Sequence, residues 1–412
     1  MYPTACDGRG PTLTADQGPL VVGTLDVETG RFDQREATEP SQRPTRAFIL
    51  LRSNGWPIGV DVLPLTGERG FEEIGRQLVA ESAPSPARAV APAGPISVVV
   101  CTRNRAALLR RNLPHLVRMV GAQNELIVVD NAPRDDSTAA VVADFGDRVR
   151  HIVEPIPGLA RARNCGLDAA AHPYVLFTDD DIEPEPSWLD VIGATFAAHP
   201  GAVCVSGAVL PMSLSTPAEL RFQEFGGYVA DFCETAYHLT MNPSPSELFP
   251  FQPRLLGTGA NMAFRAEALR SIGGFDTALG AGTAARGGED IDVAVRLLMG
   301  GHLIVRQPAA VVWHASLTTD EELLAQIEAY GCGLAAAFAK FLSQRSTMGA
   351  VLRRLPVGIR TALSDNSAKN NRRSHSYPAE LRRAELRGMG VGLFAYHKSR
   401  RHQREIEKVR NV

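Results

Sequence analysis

The chain has 412 residues, of which 44% are hydrophobic and 21% charged, and its formal net charge is −2. This composition is typical of a globular protein of two or three domains, and so small a net charge argues against general binding of nucleic acid, which needs a surplus of cations. No run reaches the roughly 20 apolar residues of a membrane span, and the N-terminus lacks a cationic start followed by an apolar core, so we expect a cytoplasmic protein.

The six cysteines are widely spaced and form no C-x-x-C pair. We therefore expect them to be reduced and to act as small buried side chains rather than as zinc ligands. Lysine is rare among the basic residues, and Ala, Gly and Pro are abundant, which suggests a GC-rich bacterial genome.

Residues 1–82 are predicted to form a small β-rich accessory unit. Three strand-like runs, "LVVGTLDVETGRF", "TRAFILLRS" and "WPIGVDVLPL", are separated by Gly, Asn and Pro turns, and a short helical run, "FEEIGRQLVAES", follows them. Residues 83–95 are rich in Pro and Ala and are predicted to be a linker. The sequence leaves open whether the unit serves binding, dimerisation or stability.

Over residues 96–318, strand-like and helical runs alternate, which predicts an α/β domain with a mostly parallel sheet flanked by helices. The strand-like runs are "ISVVVCT", "ELIVVDNA", "RVRHIVEP" and "YVLFTDDD". Ligands of such sheets bind beyond the carboxyl ends of the strands. Three of these ends carry polar side chains: Thr102, Arg103, Asn104, Arg105, Asp130, Asn131, Asp179, Asp180 and Asp181.

Three consecutive aspartates at 179–181 need an explanation, because adjacent carboxylates repel each other. They either cap the next helix or bind Mg²⁺ or Mn²⁺, which in turn would hold a diphosphate. A second acidic pair, Glu289 and Asp290, follows two glycines at a helix start, where the helix dipole alone favours acids but flexible glycines would allow close approach to a ligand. His314 ends another apolar run and is either a core residue or a contact to metal or phosphate.

Residues 319–412 are predicted to be helical and basic. The run "DEELLAQIEAYGCGLAAAFAKFLSQ" has apolar residues at three- and four-residue spacing, and pairs such as Arg353-Arg354, Arg372-Arg373 and Arg382-Arg383 follow. These arginines form either a solvated face or a surface that contacts anionic lipid or an acidic partner.

In their order, these motifs resemble the family 2 nucleotide-sugar glycosyltransferases, which have the GT-A fold. The matching segments are "SVVVCTRNR", "ELIVVDN", "GLARARNCGL", "FTDDD", "GTGANMAFR", "GGFD", "GGEDIDVAVRL" and "VWH", and they span about residues 96–315. The resemblance implies a Rossmann-like GT-A domain between the N-terminal β-rich unit and the helical C-terminal region.

The resemblance also implies a role for each matching residue. Asp290 would be the catalytic base with Glu289 beside it, and Asp181 and His314 would bind Mg²⁺ or Mn²⁺, with Asp180 as the variable middle residue of the aspartate motif. Contacts to the nucleotide or donor sugar are implied for Thr102, Arg103, Arg105, Asp130, Asn131, Arg163, Asn164, Asp179, Asp180, Gly259 and Asn261.

The implied reaction is inverting, metal-dependent transfer of a sugar from a nucleotide-diphosphate sugar, most simply a UDP-sugar, to an acceptor hydroxyl. The acceptor would be a saccharide, a natural product or a lipid-linked molecule. The Q-x-x-R-W segment of polymerising relatives does not occur after Asp290, which favours non-processive transfer. The irregular residues 211–254 are expected to shape the acceptor pocket, with Phe225, Tyr228 and Phe232 either as contacts or as plain packing.

Two alternatives stay open. The first is sugar transfer to a polyprenyl phosphate, with the basic C-terminus in peripheral contact with the inner face of the membrane. The second is a catalytically silent scaffold that binds nucleotide sugar. A nicotinamide-dependent enzyme is disfavoured, because no G-x-G-x-x-G follows the first strand of the domain.

Overall fold

The computed structural model describes residues 11, 13–35, 43–65, 93–227, 232–252, 257–315, 317–364, 367, 370, 373–374 and 376–410. Four expectations lie outside these residues: the helix at 71–82, most of the linker, Tyr228 and Arg372.

The N-terminal part folds into a four-stranded sheet, as its three strand-like runs predict. A 3₁₀ turn precedes strands β1 (Leu20–Asp26), β2 (Phe32–Gln34), β3 (Arg46–Ser53) and β4 (Trp56–Pro64). The strand order is β2-β1-β3-β4, with β1 parallel to β3 and the other pairs antiparallel. The sheet is not isolated, since one hydrophobic cluster joins its side chains to those of the larger domain: Leu20, Val22, Phe48, Leu50, Leu210, Leu214 and Trp313.

The first half of the larger domain has the predicted alternation. Its elements are β5 (Ile96–Thr102), α1 (Ala106–Val120), β6 (Glu125–Asn131), α2 (Ser137–Ala143), β7 (Arg150–Glu154), α3 (Leu159–Ala169) and β8 (Tyr174–Asp179). All four strands are parallel. Every residue of β5 is buried because helices cover both faces of the sheet, so Val98 packs in the cluster with α1 and Val99 in the cluster with α3.

The second half adds antiparallel strands to the same sheet. Its elements are β9 (Ile182–Pro184), α4 (Trp188–Ala198), β10 (Ala202–Pro211), α5 (Pro217–Phe225), β11 (Thr235–Tyr237), β12 (Asn261–Arg265), α6 (Ala266–Ser271), α7 (Glu289–Met299) and β13 (Leu303–His314). In the described part of the chain, the sheet has nine strands in the order β11-β13-β10-β12-β8-β5-β6-β7, with β9 paired to β13. The predicted mostly parallel α/β sheet is confirmed, and β12 is an antiparallel strand between β10 and β8.

Three long helices follow: α8 (Asp320–Ser343), α9 (Arg345–Leu363) and α10 (Ala379–Arg410). A capping box of Thr319 and Glu322 starts α8. Helices α8 and α10 pack closely enough that a Cβ at Gly388 would lie 2.0 Å from the carbonyl oxygen of Glu328. The predicted helical region is confirmed, but its helices are packed rather than merely solvated. No helix in the described ranges has the length and apolar character needed to cross a membrane.

A buried lysine ties α8 to the larger domain. The Nζ atom of Lys340 lies 2.7 Å from Oδ2 of Asp276 and 2.6 Å from Oδ1 of Asp292, and the lysine side chain is only 5% exposed. Asp292 also accepts a hydrogen bond of 2.8 Å from Nε of Arg296 in the same helix, α7. We call Lys340, Asp276 and Asp292 the lysine cluster.

The cysteines differ from the expectation in one respect. Cys101, Cys204 and Cys332 are free and buried, and Cys165 is free and half-buried, as small apolar side chains would be. Cys233, however, forms a disulfide, so the prediction that all six are reduced is wrong.

Candidate active site

A cavity of about 1200 Å³ opens at the carboxyl ends of β5, β6 and β8. Parallel strands end at the same edge of a sheet, so residues far apart in sequence meet here. The structure brings twelve of the fifteen candidate residues to its lining: Thr102, Arg103, Arg105, Asn131, Arg163, Asp179, Asp180, Asp181, Gly259, Glu289, Asp290 and His314.

The middle aspartate of the triplet anchors the loop after β8. Asp180 accepts hydrogen bonds of 2.6 Å from Oγ1 of Thr102 and from Nη1 of Arg105, and its backbone carbonyl accepts one of 2.8 Å from Asn112. Burial raises the pKa of Asp180 to about 6, although Arg105 and Thr102 act to lower it. Asp180 therefore has a structural role in the site, because it binds Thr102 and Arg105, two side chains that were expected along the nucleotide.

Asp179, Asp181 and His314 form a second cluster, which we call the cavity cluster. One ligand atom from each lies within 4.8 Å of the others, and Nε2 of His314 is 3.2 Å from Oδ1 of Asp181. The short strand β9 produces this arrangement, because it turns back after Asp181 and pairs with β13 so that Ile182 lies opposite His314.

The chemistry of the cavity cluster fits a divalent cation. Nδ1 of His314 lies 2.6 Å from the carbonyl oxygen of Ala315, which leaves Nε2 directed at the carboxylates. The buried Oδ1 of Asp181 lies 3.2 Å from Nε2 of His314 but has no well-aligned hydrogen bond within the described chain, so it retains lone pairs for a metal. Two carboxylates and an imidazole suit Mn²⁺, and the carboxylates alone suit Mg²⁺.

Charges within the cavity cluster shift the pKa values of His314 and Asp179. Burial lowers the pKa of His314, but a hydrogen bond to Asp179 and the charge of Asp181 outweigh it and raise the pKa to about 9. Burial also acts to raise the pKa of Asp179, but His314 and Arg163 hold it below the ordinary value. His314 and the two aspartates therefore stabilise each other's charged forms.

Arg163 on α3 links the aspartates to the second acidic site. Its Nη1 lies 2.8 Å from Oε1 of Glu289 and its Nη2 lies 3.7 Å from Oδ1 of Asp179. Burial raises the pKa of Glu289, against the lowering effect of Arg163. A Cβ at position 259 would lie 2.3 Å from Nη2 of Arg163, so Gly259 makes room for the guanidinium.

Asp290 differs from Glu289 in its surroundings. It lies in the first turn of α7, lines the cavity and accepts a hydrogen bond of 2.8 Å from the backbone N–H of Ile291. It forms no ion pair with any residue that the structure describes. The carboxylate of Asp290 therefore faces the cavity without a fixed counter-charge.

The glycines before α7 fix the position of this turn. Gly288 has φ of +89°, and a Cβ there would lie 2.4 Å from the carbonyl oxygen of Gly333 in α8. The sequence suggested flexibility for approach to a ligand, but the structure shows that Gly288 is needed for close contact with α8.

Three candidate residues do not line the cavity. Oδ2 of Asp130 is buried 3.5 Å from Nε2 of His151, and burial raises its pKa. The side-chain amide of Asn164 binds the backbone N–H and C=O of Phe275 at 2.8 Å each. Asn261 accepts from the indole of Trp188 and donates to the carbonyls of Ala208 and Ala310. These side chains join elements in the interior, and their contact with the donor stays a prediction.

Much of the cavity wall opposite the strand ends was not predicted from the sequence. Phe222 and Phe225 of α5 stack on Tyr330 of α8, with ring centroids 6.3 Å and 6.1 Å apart, and we call these three the aromatic wall. Helix α9 adds Val357, Arg360 and Thr361. Phe225 and Phe232 were expected near an acceptor and do line the cavity. Gly331 and Gly333, which follow Tyr330, are a local signal that this part of α8 packs closely against other elements.

Comparison with known proteins agrees with this architecture. Residues 97–272 match the model of the family described as Glycosyl transferase family 2. The chain is 28% identical over 257 residues to a pre-mycofactocin glycosyltransferase of Mycobacterium tuberculosis, covering 60% of this chain and 49% of the relative. It is 27% identical over 192 residues to a glucosyl-dolichyl phosphate glucuronosyltransferase of Haloferax volcanii, covering 45% and 57%. The chain thus spans about half the length of these curated relatives.

Among solved structures, the chain is similar to a mannosyltransferase from Pyrobaculum calidifontis in complex with GDP-Man and Mn²⁺, with 20% identity, a TM-score of 0.46 and coverage of 74% of this chain and 78% of that one. The matched family segment contains the ends of β5, β6 and β8, where the cavity opens. Residues 97–272 thus form a domain that matches the glycosyltransferases of family 2.

Proposed function

We propose that this chain transfers a sugar from a nucleotide-diphosphate sugar, most simply a UDP-sugar, to an acceptor hydroxyl, in a single inverting, metal-dependent and non-processive step. The observation that carries the proposal is the presence of two distinct acidic sites in one cavity. The cavity cluster offers side-chain ligand atoms that suit a divalent cation. Asp290 is a carboxylate that lines the same cavity without an ion-pair partner among the described residues.

Asp179, Asp181 and His314 would hold Mn²⁺ or Mg²⁺. When bound, the metal neutralises the negative charge that develops on the departing nucleoside diphosphate. Arg105 and Arg163 hold the carboxylates in place, since each contacts two acidic side chains of the site.

Asp290 would act as the general base. The acceptor oxygen forms a bond to the anomeric carbon, the bond from that carbon to the diphosphate oxygen breaks, and the acceptor proton passes to Asp290. The absence of a cationic partner among the described residues supports this assignment, because a carboxylate bound to a guanidinium is a weaker base. Glu289, which is bound to Arg163, would instead keep the arginine and the turn in place.

The aromatic wall supports an acceptor with a ring or an apolar portion. Phe222 and Phe225 stack on Tyr330, all three line the same cavity as the motif residues, and aromatic side chains pack well against sugar rings and apolar groups. The acceptor would be a saccharide, a natural product or a lipid-linked molecule.

A lipid-phosphate acceptor is the second candidate. Helix α9 contains four arginines and no acidic residue and lines the cavity, which supports an acceptor presented at an anionic membrane. The name of the relative from Haloferax volcanii, which acts on a glucosyl-dolichyl phosphate, points the same way.

The proposal is tested by separating donor binding from transfer. Wild-type protein should gain thermal stability with one nucleoside diphosphate from a panel of UDP, GDP, dTDP and CDP, and only with Mn²⁺ or Mg²⁺ present. Asp290→Asn should keep this shift but transfer sugar about 10²- to 10⁴-fold more slowly. Asp168→Asn, an exposed aspartate on α3, is the control and should change neither value.

Retained turnover in Asp290→Asn would remove the base assignment. A metal-dependent shift without transfer by wild-type protein to any acceptor tested would favour the silent scaffold. If no nucleotide gives a metal-dependent shift, the cavity cluster is a structural ion pair.

A further inference from the structure

Helix α9 carries an exposed row of large apolar side chains. Met348, Leu352, Leu355 and Ile359 are 42–51% exposed. Their spacing of four, three and four residues places them along a single line of the helix. One exposed apolar residue is ordinary on a protein surface, but four in a continuous row are not.

A basic row lies beside the apolar one. Arg345, Arg353 and Arg360 are exposed, and at 100° per residue they fall on the side of α9 next to the apolar row. Arg360 is paired with Glu247 at 2.9 Å, so Arg345 and Arg353 contribute most of the positive charge of this row. The sequence of α9, "RSTMGAVLRRLPVGIRTAL", contains no aspartate or glutamate. The exposed face of the helix is therefore apolar along one side and cationic along the other.

We propose that this face of α9 docks on an anionic lipid bilayer, with Met348, Leu352, Leu355 and Ile359 in the acyl boundary and the arginines at the headgroups. A helix with an apolar row beside a basic row matches the composition of a membrane interface, where acyl chains lie next to anionic phosphates. A second copy of this chain is a poorer occupant, because a symmetric contact would set α9 against α9 and oppose cation to cation.

The docking surface and the cavity share one helix. Val357, Arg360 and Thr361 of α9 line the cavity, so a bilayer on the exposed face would lie beside the cavity wall. The docking surface goes beyond the proposed transfer reaction and does not depend on it, because vesicle binding requires neither donor nor acceptor.

The test is co-sedimentation of the full chain with vesicles of phosphatidylcholine alone or of phosphatidylcholine mixed with phosphatidylglycerol. We expect binding to the mixed vesicles, weaker binding at high salt, and little binding to phosphatidylcholine alone. The double variant Leu352→Gln with Ile359→Gln should bind the mixed vesicles at least about tenfold more weakly, because it removes two aliphatic side chains that would be buried in the bilayer.

Two matched variants define the cause. Met241→Gln replaces a 77% exposed methionine outside α9 and should bind like wild type. Arg353→Ser should weaken binding and reduce its dependence on salt. Since all these side chains are exposed, each variant should unfold at the wild-type temperature.

The proposal is overturned if wild-type protein does not sediment with the mixed vesicles, or if the double variant binds them as well as wild type does. A concentration-dependent dimer that dissociates in the double variant would assign the face to a second copy instead.

Discussion

The lysine cluster and the cavity cluster each contain two aspartates, but they neutralise them differently. In the lysine cluster, Nζ of Lys340 lies within 2.7 Å of both Asp276 and Asp292, and the cation and Asp292 are almost fully buried. In the cavity cluster, Asp179 is 30% exposed, and the acids share their counter-charges at the cavity edge. His314 lies between the two aspartates, Nη2 of Arg105 is 2.8 Å from Asp181, and Nη2 of Arg163 is 3.7 Å from Asp179.

The difference shows how to separate a structural acid cluster from a binding site. Carboxylates that are buried with a cation of the chain cannot be reached by a ligand. Carboxylates at the edge of a cavity can be reached, and a metal ion can then replace the side chains that neutralise them. Variants of the two clusters, and of the contact between α8 and the turn that carries Asp290, should therefore differ in whether they lose stability or metal binding.

Removal of the lysine should give the largest loss of stability. Lys340→Met removes the ammonium from the fully buried Asp292 and the partly buried Asp276, and only Arg296 remains beside Asp292. We therefore expect the free energy of unfolding to fall by about 3 kcal/mol. Urea denaturation followed by circular dichroism measures it. Lys398→Met, at an exposed lysine of α10, should stay within about 0.5 kcal/mol of wild type. An equal, small change in both variants would mean that the lysine cluster contributes little.

The contact between α8 and the turn before α7 should be the next most sensitive feature. In Gly333→Ala, the new Cβ would lie 2.7 Å from the backbone of Gly287, so the turn that carries Asp290 must shift. We expect a loss of about 1–3 kcal/mol in stability together with a lower kcat. Gly349→Ala, where a Cβ meets no atom within 4 Å, should be neutral or stabilise by up to about 1 kcal/mol. Full activity in Gly333→Ala would show that the turn tolerates displacement.

Loss of a carboxylate from the cavity cluster should affect metal binding rather than folding. Asp181→Asn removes one charge that metal would neutralise, so the affinity for Mn²⁺ should fall at least tenfold, about 1.4 kcal/mol, while stability without metal is kept. Isothermal titration with Mn²⁺ measures the affinity, and thermal unfolding in a chelator measures the stability. A large loss of stability in the chelator would instead place Asp181 with the structural carboxylates.

The smallest expected effect is a pH dependence from Asp276. Burial acts to raise the pKa of this carboxyl, but Lys340 lowers it below the ordinary 3.8. A depressed pKa stabilises the fold above the unfolded-state pKa, and that contribution is lost as the pH falls through the folded-state pKa. The difference in stability between wild type and Asp276→Asn should therefore be constant above about pH 5 and shrink below pH 4. A difference that stays constant down to pH 3 would contradict this.

The sequence predicted local features well. The apolar runs of β5, β6 and β8 and the polar residues at their ends gave the sheet and the edge where the cavity lies, because a buried strand followed by polar residues is a short-range pattern. The family resemblance of the motifs singled out the aspartate triplet, Glu289, Asp290 and His314, and all of them line the cavity.

Features that depend on pairing across the chain were not predictable in this way. Nothing near Lys340 shows that it meets Asp276 and Asp292, since those partners lie more than 40 residues away along the chain. The same holds for Asn261, whose amide is used by Trp188 and two backbone carbonyls, and for Tyr330. A periodic pattern states which face of an element is buried, but not which other element covers it.

The contribution of α9 to the cavity wall has a consequence for engineering. Val357 and Thr361 line the same cavity as the motif residues but belong to a helix after them in the chain, outside the matched family segment. Libraries randomised at these two positions can therefore reshape the cavity while every candidate metal ligand and the proposed base stay unchanged. Substrate scope and chemistry can thus be selected separately in one polypeptide.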